Sequence, residues 1–595
     1  MNLIKLFRYV KKREVSHIVI GLIFTLVQVW LDLKLPDNMA LITTLVQTEG
    51  SKMSEVLIAG AFMLICALGS LVSSIIVGYC VAKIAAGLTM RIREAVYDKV
   101  MDFSMEEIGR FSTASLITRS TNDITQIMMV AALGMQVLVR APIMAVWAII
   151  KIARKNWQWT TVTAIAVVLI LILIVILFIL VMPKFLKVQT LTDNLNRVTR
   201  ENLSGIRIVR AYNAEGYQEK KFEDANEDLT ATTLFTQRAM AIMQPGMTFI
   251  MSALTLVIYW VGVYMIDAAG AQERINLFSE MVVFSSYALQ VIMAFMMMSL
   301  TMIILPRAAV SATRIQEVLQ TNTRMKDGTT LEGRQDAKGK VEFRDVSFRY
   351  PEAADEILHH ITFEAAPGET VAIIGSTGSG KSTLVNLIPR FYDVSEGEVL
   401  VDGVNVKEYS QSALRKKIGY VSQRATLFSG NIRSNITYGD SDEAGEEAIR
   451  SAIEVAQAEE FVSQMDGTID AVISQGGTNV SGGQRQRLSI ARAIYRNPEI
   501  YVFDDSFSAL DYKTDRTLRK ALKEKTKGAT ILIVAQRIGT IMDADRIIVL
   551  HDGKIVGQGK HKELLSSCEV YREIAESQLS GEELYGSKNS GKEDR

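Results

Sequence analysis

Four stretches of the chain carry no Asp, Glu, Lys or Arg: Val56–Ala82, Asn156–Pro183, Ala239–Ile266 and Met281–Pro306. About 20 helical residues cross the ~30 Å of hydrocarbon in a bilayer, where backbone polar groups have no water to bond. Runs this long and this free of charge are therefore read as membrane spans. Two further candidates are interrupted: Val15–Leu31 runs into Asp32 and Lys34, and Ile124–Ile150 carries a single charge, Arg140. The sequence thus predicts six spans in a lipid bilayer.

Charge separates the chain into two halves. Over 595 residues Lys+Arg and Asp+Glu both total 65. Residues 1–306 hold 27 basic and 22 acidic side chains, whereas residues 307–595 hold 38 and 43. A nucleic-acid partner is excluded, since it calls for a basic surplus. The cysteines Cys66, Cys80 and Cys568 show neither metal-ligand nor disulfide spacing, which fits a reducing compartment. Met1–Arg13 mixes five basic residues with Leu3, Ile4, Leu6 and Phe7. It does not read as a cleavable leader, and Asn2–Tyr9 is expected to form an amphipathic helix on the inner surface.

Orientation follows from the basic residues. With the N-terminus inside, segments 1–14, 83–123 and 184–238 carry twenty Lys/Arg, against six in 32–55, 151–156 and 267–280. Lys151, Arg154 and Lys155 run against the trend. The long inner segments keep helical spacing, as in Arg91–Met101 and Asp193–Val209. The spans are therefore expected to continue into the cytoplasm and to turn near Ser112–Thr121 and Ala211–Gln218, where they could meet the soluble half.

From Val341 the pattern changes to strands and turns. Val341–Tyr350 alternates, and Glu369–Gly375 is a short apolar strand. It runs straight into Gly375, Ser376, Thr377, Gly378, Ser379, Gly380, Lys381 and Ser382, and then a helix-compatible segment from Thr383 to Ile388. This is G-x-x-x-x-G-K-[ST] in its strand–loop–helix setting, a phosphate cradle. Glycines let backbone N–H groups converge on phosphate oxygens, and the helix N-terminus adds partial positive charge. Lys381 would reach the β/γ-phosphates of ATP and Ser382 would ligate Mg²⁺. A second apolar strand, Ile500–Phe503, ends in Asp504, the expected Mg²⁺-side carboxylate.

Between these lies Val480-Ser481-Gly482-Gly483-Gln484, followed by a helix-like run to Ile494. Here the residues resemble the ATP-binding cassette (ABC) family, whose signature is close to LSGGQ. Tyr350 resembles the family's adenine-stacking aromatic, and Gln423 resembles the Q-loop glutamine that contacts Mg²⁺ and the membrane domain. Ser508, Ala509, Leu510 and Asp511 resemble the D-loop, and Gly205–Tyr212 resembles the exporters' coupling region. The resemblance implies an exporter half-transporter. It has an α-helical six-span transmembrane domain with long cytoplasmic helical extensions (1–306) and a linker (307–340). An α/β P-loop nucleotide-binding domain (341–579) and a disordered tail (580–595) follow.

Two positions depart from the family. Fully active members carry Glu after the second-strand Asp, where this chain has Asp505, and His in the switch region, where it has Gln536. Asp is one methylene shorter, about 1.5 Å, which removes hydrogen-bond reach to an attacking water. Gln can donate to a γ-phosphate but cannot carry a proton. The resemblance therefore implies a P-loop site that binds ATP and hydrolyses it slowly. Val480–Gln484 would complete the active site of a second, different half-transporter that keeps the Glu and the His. Drift in an active enzyme is the alternative.

The substrate pathway is less sharply marked. Asp32 and Arg140 are ionisable residues at membrane depth, expected to line or pair across a cavity, with an interfacial position as the alternative for Asp32. Met293 and Met297 belong to a Met-rich sixth span, suited to varied apolar ligands or to plain packing. The expected cargo is a lipophilic or amphipathic compound. A peptide exporter, a lipid flippase and a nucleotide-gated regulatory or channel subunit remain alternatives, whereas a soluble cassette ATPase is excluded by the spans.

Overall fold

A computed structural model describes residues 2–48, 50–153, 156–299, 301–351, 353–439, 445–579 and 584. The charges of Arg154 and Lys155 and the tail expected over 580–595, residue 584 apart, lie outside the described residues. The chain divides into two units: Met1–Asp102 with Ser112–Thr321, and Phe103–Phe111 with Asn322–Arg595.

In the first unit, six helices among the described residues are long and apolar enough to cross a membrane. They are Lys12–Gln47, Met53–Met101, Thr113–Ala153, Trp157–Ser204, Glu215–Ala268 and Glu273–Gln320. The second has 49 residues, about 70 Å at 1.5 Å per residue, more than twice the hydrocarbon thickness. The expected extensions beyond the bilayer are thus present. Leu64, Ile65 and Leu68 on this helix are exposed, as a lipid-facing side requires. Val29, Trp159, Ile258, Phe284 and Tyr287 form the buried centre of the bundle. The one polar atom of the Trp159 ring is satisfied there: its indole N–H donates to the Ile258 carbonyl at 3.2 Å.

Three boundaries differ from expectation. The first helix does not end near Leu31 but runs through Asp32, Lys34 and Pro36 to Gln47. Proline loosens the helical turn before it. The Tyr287 hydroxyl lies beside this turn, 2.9 Å from the Leu33 carbonyl and 2.5 Å from Asp37 Oδ1. The sixth helix likewise passes Pro306 and reaches Gln320, so the first unit ends at Thr321 and the linker is shorter than 307–340. Finally, Ser112–Thr121 is not the turn; Thr113–Ser120 is already helical. The segment that groups with the second unit is Phe103–Phe111. Glu107, 4% exposed, holds it there by accepting the backbone N–H of Arg324 at 3.1 Å and of Ser104 at 2.9 Å. Glu106 pairs with the Arg324 guanidinium at 2.7 Å.

Two ion pairs among the described residues join the first and third helices of the membrane unit. Arg140, at the end of a single π-helical turn, Met135–Arg140, reaches Asp32 Oδ2 at 3.0 Å. Ser70 donates to Asp32 Oδ1 at 2.5 Å. Further along both helices, Lys151 pairs with Asp37 at 2.7 Å. Lys151 thus has a local anionic partner.

The second unit is built on a six-stranded sheet. Its order is Lys554–Gly559, Arg546–His551, Thr370–Gly375, Thr530–Val534, Ile500–Asp504, Ile418–Val421; the last five strands are parallel and the first is antiparallel. Both faces are covered. Along Thr370–Gly375, Ala372 and Ile374 enter one core while Val371 and Ile373 enter the other. That explains why this strand and Ile500–Asp504 read as unbroken apolar runs rather than alternating ones. A smaller antiparallel sheet contains Val341–Phe348 between Leu358–Ala365 and Glu396–Val401.

Replacing Arg140 by Ala strands the Asp32 carboxylate among apolar helices. The expected loss is about 3 kcal/mol of stability, read by thermal unfolding in detergent, whereas Asp32→Asn with Arg140→Met recovers most of it.

Candidate nucleotide site

Parallel strands point their C-terminal ends to one edge of the sheet, and the site gathers there. Val534 aligns with Asp504 on one neighbour and with Ile373 on the other. The loop from Gly375, the pair Asp504–Asp505, and Gln536 two residues after Val534 therefore emerge together. Gln423, two residues after the strand ending at Val421, joins them.

The phosphate loop has the shape its composition demands. A Cβ on Gly375 would sit 2.1 Å from the Leu550 carbonyl, and Gly380 has φ +95°, so neither position admits a side chain without strain. Lys381 opens the helix Lys381–Asn386 and folds back, donating to the carbonyls of Gly375 at 2.9 Å and Ser376 at 2.7 Å. Burial pushes its ammonium below the usual range, against the pull of Asp505 and Asp504. Ser379 is 2% exposed and its hydroxyl has no hydrogen-bond partner. An orphaned hydroxyl beside a buried ammonium in a glycine cradle fits a phosphate group.

The metal side fits as well. The Ser382 hydroxyl donates to Asp504 Oδ1 at 2.8 Å. Burial raises the carboxyls of both Asp504 and Asp505 above their usual range. Two adjacent buried acids favour a cation between them and the phosphates, and Ser382, Asp504 and Gln423 would hold Mg²⁺. The Tyr350 hydroxyl lies 3.1 Å from Thr383 Oγ1, with Tyr392 edge-on to its ring at 5.2 Å. This places an aromatic face beside the phosphate cradle, as a base platform requires.

Asp505 has φ +47° and is 7% exposed. Its Oδ2 accepts two amides, Gln423 Nε2 at 3.1 Å and Gln536 Nε2 at 2.9 Å. One carboxylate oxygen thus ties the loop after Ile418–Val421 to the loop after Thr530–Val534. Gln578 braces the second of these loops with a fork: its Nε2 donates to the Gln536 carbonyl and its Oε1 accepts the Ile538 N–H, both at 2.8 Å. The sequence gives no signal for this; Gln578 is an isolated residue of the C-terminal segment.

The remaining motif residues sit at helix starts. Ser481 caps Gly482–Tyr495, accepting the Gln484 N–H at 3.3 Å, while Gln484 Oε1 accepts the Ser481 N–H at 2.8 Å. Val480 is buried, and Gly483 lies beside the Ala509 carbonyl. Asp511 caps Tyr512–Lys525 through the Thr514 N–H at 2.9 Å; Leu510 is buried and Ser508 donates to the Asp505 carbonyl at 2.9 Å.

In the membrane unit, Asp32 and Arg140 meet as an ion pair, Met297 packs beside Ala141, Ala145 and Ala294, and Met293 is exposed. None of these lines a cavity of about 630 Å³ in this unit. Its walls come instead from the third to sixth helices and include Asp123, Phe178, Met243 and Arg314. Sequence reasoning missed this site because its residues are scattered over four helices and only packing collects them.

Comparison with known proteins agrees with this architecture. Residues 17–295 match the family model for the ABC transporter transmembrane region, and residues 358–508 match that for the ABC transporter proper. A Mycobacterium bovis protein described as an uncharacterised ABC transporter ATP-binding protein is 40% identical over 517 residues, 86% of each chain. The ATP-dependent lipid A-core flippase of Pseudomonas aeruginosa is 31% identical over 496 residues, 83% of this chain and 81% of that one. The fold is that of a bacterial Atm1-family ABC exporter solved with ATP bound, with a TM-score of 0.79 and 23% identity over 95% of this chain and 99% of that one.

Ser379→Ala separates apo stability from ligand binding. Removing the orphaned hydroxyl is expected to leave the nucleotide-free protein as stable or up to ~1 kcal/mol more so, while weakening ATP about tenfold. Thermal unfolding with and without ATP reads both.

Proposed function

The chain belongs to the ABC transporters, and on that premise we propose that it is one half of an ATP-driven heterodimeric exporter of lipophilic or amphipathic compounds. Its own P-loop site holds ATP and turns it over slowly. Its signature, Val480–Gln484, completes the faster site of a different half-transporter that carries Glu and His at these two positions.

One observation carries the reading. The carboxylate where a water-activating base is expected is too short by a methylene, and its Oδ2 is engaged by Gln423 and Gln536. Two amides already occupy that oxygen in place of an attacking water, and Gln536 carries no titrating proton. The capping box occupies the N–H groups of Ser481 and Gln484 and leaves those of Gly482 and Gly483 for a phosphate presented by another chain.

The distribution of Lys and Arg supports an inward N-terminus and a cytoplasmic nucleotide domain. ATP would close the two cassettes, and segments such as Phe103–Phe111 would pass that closure to the helices, switching the cavity between inward and outward access. A lipid flippase is the second reading, favoured by the likeness to the lipid A-core flippase.

The test is MgATP hydrolysis by the purified chain. Alone it is expected to be nearly silent, and Asp505→Glu with Gln536→His to raise turnover about a hundredfold. A wild-type chain that alone matches the double variant contradicts the proposal.

A further inference from the structure

The cavity of the membrane unit, about 630 Å³, has two unlike ends. Ile174, Leu177, Phe178 and Val181 face it from inside the uncharged run Asn156–Pro183. Asp123, Asp193, Arg307 and Arg314 face it from beyond such runs: Asp123 directly precedes Ile124–Ile150, and Arg307 directly follows Pro306. The apolar wall therefore lies at hydrocarbon depth and the charged end at the level of the headgroups.

Asp123 is the informative group. It is 5% exposed, and its Oδ1 accepts the Ser311 hydroxyl at 2.8 Å. Its Oδ2 has Arg314 Nε at 3.4 Å but no hydrogen-bond donor. A buried carboxylate oxygen without a donor is costly, and a ligand that brings one removes that cost. Arg314 remains 36% exposed at its side chain, and Arg307 lies over the Phe185 ring at 4.9 Å.

We propose that this cavity binds a zwitterionic amphiphile. Its cationic, N–H-bearing group sits on Asp123 Oδ2, its anionic group between Arg314 and Arg307, and its tail against Phe178 and Phe185. The Asp123 carboxylate and the guanidinium groups of Arg314 and Arg307 decide the class. A singly cationic head would meet Asp123 but be desolvated against the arginines, and a singly anionic head would leave Oδ2 without a donor. An uncharged apolar molecule would leave Oδ2 unbonded. A zwitterion meets both signs with its opposite. As a substrate class, this rests on the exporter reading above; as a binding site, it stands on the cavity alone.

The experiment is equilibrium binding to the purified full-length protein in detergent, without ATP. The probes are three fluorescent phospholipid-type amphiphiles of equal acyl length: a phosphatidylethanolamine, an anionic phosphatidylglycerol and a cationic trimethylammonium diacyl analogue. The ethanolamine lipid is expected to bind about tenfold tighter than either other. Asp123→Asn, which keeps the Oδ1 acceptor for Ser311, is expected to remove that advantage over the anionic lipid. Arg314→Gln is expected to remove it over the cationic one. Equal affinity of all three for the wild-type protein overturns the proposal, as does a folded Asp123→Asn protein with unchanged preferences. The wild-type comparison needs no variant, so a variant that fails to fold leaves the test intact. Because ATP is absent, a lost preference overturns this inference without touching the exporter reading, which turnover tests.

Discussion

Parallel hydrogen bonding among five strands is the constraint on which the nucleotide site depends. Parallel pairing forces every strand to deliver its following loop to the same edge. The register of Val534 with Asp504 and Ile373 sets how far each loop reaches. Once that edge exists, the phosphate cradle, the metal-side Asp504 and the two glutamine loops have no other place to be. The burial of both sheet faces then makes charge at the edge expensive, and this is why Lys381, Asp504 and Asp505 are all pushed toward their neutral forms. A bound nucleotide with its cation would relieve that cost.

The same economy governs the membrane unit. Charges there persist in pairs, Asp32 with Arg140 and Asp37 with Lys151, each joining the first helix to the third. Tyr287 of the sixth helix adds a third attachment to the turn loosened by Pro36. Polar contacts of this kind fix which helices are neighbours, which apolar packing against lipid-like side chains specifies weakly. At the charged end of the cavity pairing is incomplete, because Asp123 Oδ2 has no donor.

Much of this was legible in the sequence, for a physical reason. A span needs about 20 uncharged residues, and that is a property of the string itself, so the number of spans could be counted. The phosphate loop is likewise local: Gly375 to Ser382 are contiguous, and each has its role through backbone shape. Asp504 was legible because it ends an apolar strand. The ends of the helices were not. Pro36 and Pro306 look like breaks, yet the helical φ of proline lets both helices continue, and Tyr287 adds a bond at the Leu33 carbonyl near the first of them. The docking segment fell earlier than the turn residues suggested, since Glu107 finds its partner in Arg324, more than two hundred positions away. Gln578 and the cavity were invisible for the same reason: both are made by packing, and no short stretch encodes them.

The central claim is that two half-transporters divide the work, with Asp505 and Gln536 marking the slow half. Its most direct measurement is the identity of the nucleotide held on this chain after turnover. The protein, purified with its native partner, is supplied with MgATP bearing a photoreactive base, allowed to turn over, and irradiated. The nucleotide crosslinked near Tyr350 is then identified by mass. The account predicts intact ATP on this chain's P-loop while ADP accumulates on the partner's. ADP on this chain in equal measure contradicts it.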